Sequence, residues 1–175
     1  GYCSESASGD HQKEWRQNMR ITIAADPSGL ALKDVIKEHL EKQGYIVMDK
    51  GTKTGGEVVF YPAAGDVVAR DIQRGDANFG IVLCGSGMGV SIVANKHKGV
   101  YCAVVESVYA AYNSREINNA NVLALGGLMI GPGMALKIVD TFLNTTWKAD
   151  ADEVRGARLE GFLRGVVEIE EEQFK

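Results

Sequence analysis

The chain has 175 residues, 45% hydrophobic and 24% charged, so a single globular domain with its own core is the default expectation. Lys and Arg number 19 against 23 Asp and Glu, a net charge of −4, which argues against a general nucleic-acid binder. No apolar run approaches the roughly 18 residues of a membrane span, so no membrane partner is expected.

Three cysteines, Cys3, Cys84 and Cys102, form no CxxC pair. The odd count suits a reducing, cytoplasmic compartment better than a disulfide framework. His11, His39 and His97 are scattered, so no protein-built metal site and no metal cofactor are expected. The polar residues 1–18 read as a flexible leader without a signal-peptide core.

The ordered domain is expected from Met19. Arg20–Ala25 is a short apolar run that ends at Asp26-Pro27-Ser28-Gly29, a strand followed by a turn. Leu30, Leu32, Val35, Ile36 and Leu40 mark a helical apolar face, and Gly44 a helix stop. Tyr45–Met48 reads as a second strand and residues 49–60 as a loop. A helix over Tyr61–Arg74 carries Pro62 in its first turn.

Phe79–Leu83 is the clearest buried strand. Met88–Lys96 reads as a helix packed through Met88, Ile92 and Val93. Val100–Val105 is a strand, Val108–Ile117 a helix, Val122–Leu125 a strand and Pro132–Leu143 a helix. Strands alternating with helices predict a parallel sheet covered on both faces. Residues 149–175 form a charged tail in which Val154, Leu159, Phe162, Leu163 and Val166 suggest an amphipathic helix, packed on its own domain or on a partner subunit.

The strongest local feature is Cys84-Gly85-Ser86-Gly87-Met88-Gly89, which follows a buried strand and opens a helix. Ligands of open α/β sheets bind beyond the carboxyl ends of strands, and glycines there let backbone N–H groups approach an anion. The pattern is neither GxGxxG nor a Walker loop, and DPSG offers one glycine, so a nucleotide module is disfavoured. Cys84 is either a reactive thiol at the mouth of the turn or a buried structural cysteine; the two readings weigh equally. Cys102, inside a strand, reads as core.

Asp26 could hydrogen-bond a sugar hydroxyl or move its proton, but a turn or cap role is slightly favoured. Asn118, Asn119 and Asn121 precede the last strand; Asn121 reads as its start, and the other two as polar contacts or turn residues. Arg155 and Arg158 share one helical face and would suit a phosphate, although a solvated charged face is commoner. His39 is expected on an exposed face and His97 in a loop, neither as a catalyst.

Four segments, MRITIAADPSGLALKDVIKEHLEKQGY, CGSGMGVSIVANK, REINNANVLALGG and IGPGMALKIVDTFL, resemble the ribose-5-phosphate isomerase B and galactose-6-phosphate isomerase group, from about Met19 to Arg158. The resemblance implies a Rossmann-like three-layer α/β/α sandwich and metal-independent interconversion of aldose and ketose phosphates through an enediolate. It implies an active site shared between two subunits of a homodimer or homotetramer. Cys84 would move the proton between the first two sugar carbons. The turn of Gly85, Ser86, Gly87 and Gly89 would stabilise the enediolate oxygen. Asp26 would contact the sugar near the ring oxygen, Tyr61 would line the pocket, Asn118 would contact the substrate, and Arg155 and Arg158 would bind its phosphate.

The departures are specific. Asp-His-Ala-Gly is the usual first motif; here Pro27 and Ser28 replace its centre. Glu106-Ser107 stands where a His-Asp pair often follows the fourth strand, and that histidine helps open a furanose ring. Leu128 replaces a phosphate-binding arginine, Asn118-Asn119 an Asn-Asp pair, and a small insertion falls near Ala149–Glu153. Two explanations compete. The protein isomerises a different phosphorylated sugar, such as an open-chain tetrulose phosphate, with Glu106 as a substitute acid or base. Alternatively it binds a sugar phosphate as a sensor or partner module. Cys84 together with its glycine turn favours the enzyme.

Overall fold

Alternating side chains along three central strands explain why two layers of helices are needed. Ile21, Ile23 and Ala25 point to one face of the sheet and Ala24 to the other; Ile81 and Leu83 oppose Val82 and Cys84; Leu123 and Leu125 oppose Val122 and Ala124. A strand apolar on both sides is stable only when both sides are covered. A computed structural model, describing residues 15–175, shows this sandwich.

Strands β1 (Arg20–Ala25), β2 (Ile46–Asp49), β3 (Phe79–Cys84), β4 (Cys102–Val104) and β5 (Val122–Gly126) form one parallel sheet in the order β2-β1-β3-β5-β4. Helices α1 (Leu30–Lys42), α4 (Val108–Glu116) and α5 (Pro132–Asn144) cover one face through Leu32, Ile36, Leu40, Ala111, Ile138 and Phe142. Helices α2 (Tyr61–Gln73) and α3 (Met88–Ala94) cover the other through Ala64, Val68, Val90 and Ala94. The last helix, α6 (Glu153–Gln173), contributes to neither buried cluster. Among the described residues no helix is long and apolar enough to cross a membrane.

Several sequence expectations need correction. Residues 15–18 form a helical turn, with Trp15 edge-on to Tyr45 at 6.2 Å, so order begins before Met19; residues 1–14, with Cys3 and His11, lie outside the described residues. α3 buries Val90, Ser91 and Ala94, while Met88 and Ile92 are exposed. The helix lies so close to α2 that a side chain at Gly65 would meet Val90 and Val93, and small residues therefore face inward. On α6 only Leu159 of the expected apolar stripe is buried; Val154, Phe162 and Val166 are exposed.

β4 is shorter than expected because side-chain amides take over its ladder. Asn95 bonds Cys102 N and O, and Asn121 bonds Tyr101 N and Gly99 O. Cys102 is only half-buried, on this edge strand, and burial pushes its thiol up to about 12. His39 is not free on an exposed face. Its Nε2 lies 2.8 Å from Asp140 on α5.

Candidate active site

The sheet order reverses at β1 and β3, so connections leave these neighbours in opposite directions and open a crevice at their carboxyl ends. Three turns meet there. Asp26 N donates to Leu83 O at 3.1 Å, Gly127 N to Cys84 O at 2.8 Å and Leu128 N to Gly85 O at 3.0 Å. These bonds carry the pairing past the strand ends and fix the turns after β1, β3 and β5 against one another.

Cys84 closes β3 and sits opposite Gly126 in the register. It is 6% exposed, and its Sγ accepts the Gly87 N–H at 3.2 Å. That bond requires the turn to double back, which Gly87 permits with φ +79°; a Cβ there would lie 2.9 Å from the Leu125 carbonyl carbon. Ser86 Oγ accepts the Met88 N–H at 3.3 Å. Gly85 faces the side chains of Leu128 and Ser28, and a Cβ there would stand 3.3 Å from Leu128 Cδ1.

Tyr61 opens α2, and its ring lies against Gly89; a Cβ at 89 would stand 2.9 Å from Tyr61 Cδ2. Asp26 Oδ1 accepts the N–H groups of Ser28 at 2.9 Å and Gly29 at 3.1 Å. The turn therefore uses one carboxylate oxygen, which satisfies the capping role and leaves Oδ2 outside this pair of bonds. Asp26, Tyr61, Cys84, Gly85, Ser86, Gly87 and Gly89 are thus gathered at one edge. Glu106 is exposed beyond the end of β4, two strands from β3, a separation of about 10 Å, so it does not join the Cys84 turn directly.

Asn118, Arg155 and Arg158 are elsewhere. Asn118 precedes β5 at the amino edge of the sheet, where Val122 pairs with Gly80, whereas Cys84 pairs with Gly126 at the carboxyl edge. Four residues of strand make that distance about 13 Å. Asn118 lines a cleft of ≈ 250 Å³ with Tyr101, Ile117, Phe162, Leu163 and Val166. Arg155 pairs through both terminal nitrogens with Glu116, a fully buried carboxylate, and that hydrogen bond raises the guanidinium further above its usual range. Arg158 is exposed on the same helix. One chain does not bring these three residues to Cys84.

The histidines are also accounted for. His97 Nε2 lies 2.8 Å from Asp66 and its Nδ1 3.1 Å from Val93 O. The Arg70 hydrogen bond, followed by smaller contributions that include His97, holds the Asp66 carboxyl below its usual range. Among the described residues no three His, Cys, Asp or Glu side chains gather as a metal site. The reading from sequence missed the contribution of Gly127, where a Cβ would stand 2.5 Å from Ser28 O. The Gly126-Gly127 doublet just after a strand was the available signal.

Fold and turns define a Rossmann-like α/β protein whose ligand face is the carboxyl edge, with a cysteine at the switch point. The chain belongs to the Ribose/Galactose Isomerase family, whose model matches residues 21–159. Its class is accordingly that of the aldose–ketose isomerases. It is 38% identical over 157 residues to a 4-deoxy-4-sulfo-D-erythrose isomerase of Clostridium sp. (strain MSTE9), covering 90% of this chain and 99% of the relative. It is 37% identical over 130 residues to a D-erythrulose-4-phosphate isomerase of Pectobacterium atrosepticum, covering 74% and 86% respectively. The structure of a Clostridium thermocellum ribose-5-phosphate isomerase B superposes with a TM-score of 0.80 at 42% identity, covering 88% of this chain and 99% of that one.

Proposed function

We propose that this protein interconverts the aldose and ketose forms of a four-carbon sugar with a terminal phosphate, through an enediolate, with Cys84 as the base. The observation that carries the reading is the Cys84 sulfur, held by the Gly87 N–H at the mouth of a glycine turn at the switch point of the sheet. Cys84 removes the proton from the carbon beside the carbonyl and returns it to the neighbouring carbon, while the hydroxyl proton passes between the two oxygens of the enediolate. A positioned base contributes about 10²–10⁴-fold. Charge builds on the former carbonyl oxygen, and the Ser86 hydroxyl and the backbone of Gly85–Gly89 stabilise it. Asp26, through the oxygen its turn does not use, orients a sugar hydroxyl.

The substrate class rests on three supports. A four-carbon sugar with its terminal oxygen phosphorylated has no hydroxyl free to close a furanose ring, so no ring-opening acid is required. Glu106 stands where the ring-opening histidine is expected, and His39 and His97 are each committed to a carboxylate. Two relatives near 38% identity are named for four-carbon substrates.

The phosphate end is read by a second subunit in a homodimer or larger homo-oligomer. Asn118, Arg155 and Arg158 of one protomer face the Cys84 turn of the other, and the tail over residues 149–175 is the interface element. The exposed Phe60, Met88, Ile92 and Leu128 around the turn supply an apolar rim for that contact. A base cysteine must stay reduced, which suits a reducing compartment such as the cytoplasm.

Proton NMR in deuterated water tests the reading with D-erythrulose 4-phosphate and ribose 5-phosphate. Deuterium entry beside the carbonyl is expected with the four-carbon sugar in preference to the pentose, and its loss in Cys84→Ala. Full exchange in that variant, or none with either sugar in the wild type, contradicts the proposal.

A further inference from the structure

We infer that Lys33 and Thr52 are positioning residues that hold Tyr61 against the catalytic turn; the inference rests on the reading of that turn as the active site. Lys33 is among the largest fully buried side chains of the described residues, and its ammonium is buried with it. A buried ammonium is tolerated only when its donors find oxygens. Lys33 Nζ finds three, Asp49 Oδ1 at 2.9 Å, Asp49 Oδ2 at 2.8 Å and Thr52 O at 2.6 Å. The charge therefore fixes the start of the loop between β2 and α2 to the first turns of α1.

Thr52 carries the constraint onward. Its N–H donates to Ala25 O at 2.9 Å, one residue before Asp26. Its hydroxyl donates to Val59 O and accepts the Val59 N–H, both at 2.9 Å. That hydroxyl closes the base of a loop without regular structure, whose tip is a turn in which Gly56 N bonds Lys53 O. Val59 is followed by Phe60, the N-cap of α2, and by Tyr61, whose ring rests on Gly89. Lys33, Thr52 and Val59 thus form a continuous bonded path from α1 to the residue that lines the pocket. None of the three hydrogen-bonds to residues 84–89, so the bonded path reaches the pocket through Tyr61.

Thr52→Val keeps the shape and removes the hydroxyl, leaving both Val59 groups without their partner. Kinetics would be measured on D-erythrulose 4-phosphate and ribose 5-phosphate, with hydrogen exchange of the loop followed by mass spectrometry. The expected result is a KM about tenfold higher with kcat within about twofold, faster exchange over residues 53–62, and recovery of both in Thr52→Ser. Adding Thr52→Val to Tyr61→Ala is expected to raise KM no further, because the path then has no end. Lys33→Met tests the anchor directly but can fail to fold; the threonine pair keeps the inference open to refutation.

A wild-type KM in Thr52→Val, a loss confined to kcat, or full additivity with Tyr61→Ala overturns it. Those outcomes differ from failure of the active-site reading itself. If Cys84→Ala retains exchange, or neither sugar exchanges in the wild type, both fall. If Cys84→Ala is inactive and Tyr61→Ala raises KM while Thr52→Val does not, the positioning inference alone falls.

Discussion

The two edges of the sheet are built by different means. At the carboxyl edge, backbone packs on backbone: the turns after β1, β3 and β5 approach so closely that side chains at Gly29, Gly87, Gly126 and Gly127 would collide with neighbouring backbone. At the amino edge, side chains make the connections: Arg155 with Glu116, Lys98 with Glu171, Tyr101 with Glu170 and Lys148 with Glu160. The first kind of construction allows little movement and suits a base that must meet one carbon. The second rests on long side chains paired one to one, in which α6 contributes the Arg155 cation and three carboxylates.

The sharpest way to break this comparison is Cys84→Ala. Deuterium exchange is expected to fall by about 10²–10⁴-fold, with a melting temperature near that of the wild type. Gly87→Ala attacks the rigid edge itself. Its left-handed φ costs a non-glycine residue about 1–2 kcal/mol, and the clash with Leu125 adds to it. Calorimetry should show a Tm lower by about 4–8 °C, and turnover should fall at least as steeply as stability.

The amino edge is separated from catalysis by the two arginines. Arg158→Ala is expected to change stability by no more than about 0.5 kcal/mol while raising KM for a sugar phosphate about tenfold. Arg155→Ala is expected to lower Tm as well, since it strands the fully buried Glu116 carboxylate. Equal KM for both variants and the wild type would confine the two arginines to structural duty. A smaller effect is expected from Leu128→Arg. Leu128 is 78% exposed, so the fold should tolerate the change, and steady-state kinetics should show a lower KM for ribose 5-phosphate.

The smallest test compares the two described thiols. Burial pushes Cys102 up to about 12, so at pH 8 it is a neutral thiol, and only the thiolate attacks iodoacetamide. Peptide mapping should find label on Cys84 in excess over Cys102, with the Cys84 label suppressed by a bound sugar phosphate.

Much of the carboxyl edge was legible because it is local. Alternating β and α periods set the layers, and the run from Cys84 to Gly89 carries its turn chemistry in consecutive residues. The packing face of α3 was not legible. A stripe of Met88 and Ile92 reads as core until the closeness of α2 is known. Nor was the end of β4, where Asn95 and Asn121 substitute for strand pairing through side chains. The separation of Asn118 from Cys84 was half written. Cys84 follows a strand and Asn118 precedes one, which puts them at opposite rims. The Arg155–Glu116 pair spans 39 residues, and no local pattern announces a contact of that reach.

The helix α6 lies outside the core that it ties together. Neither buried cluster includes any of its residues, and it is fastened to Glu116 near one end and to Lys98 and Gly99 near the other. These anchor points lie in different layers, at the end of α4 and after α3. Both buried clusters are complete without α6, which spans the two layers as a strap over a finished core.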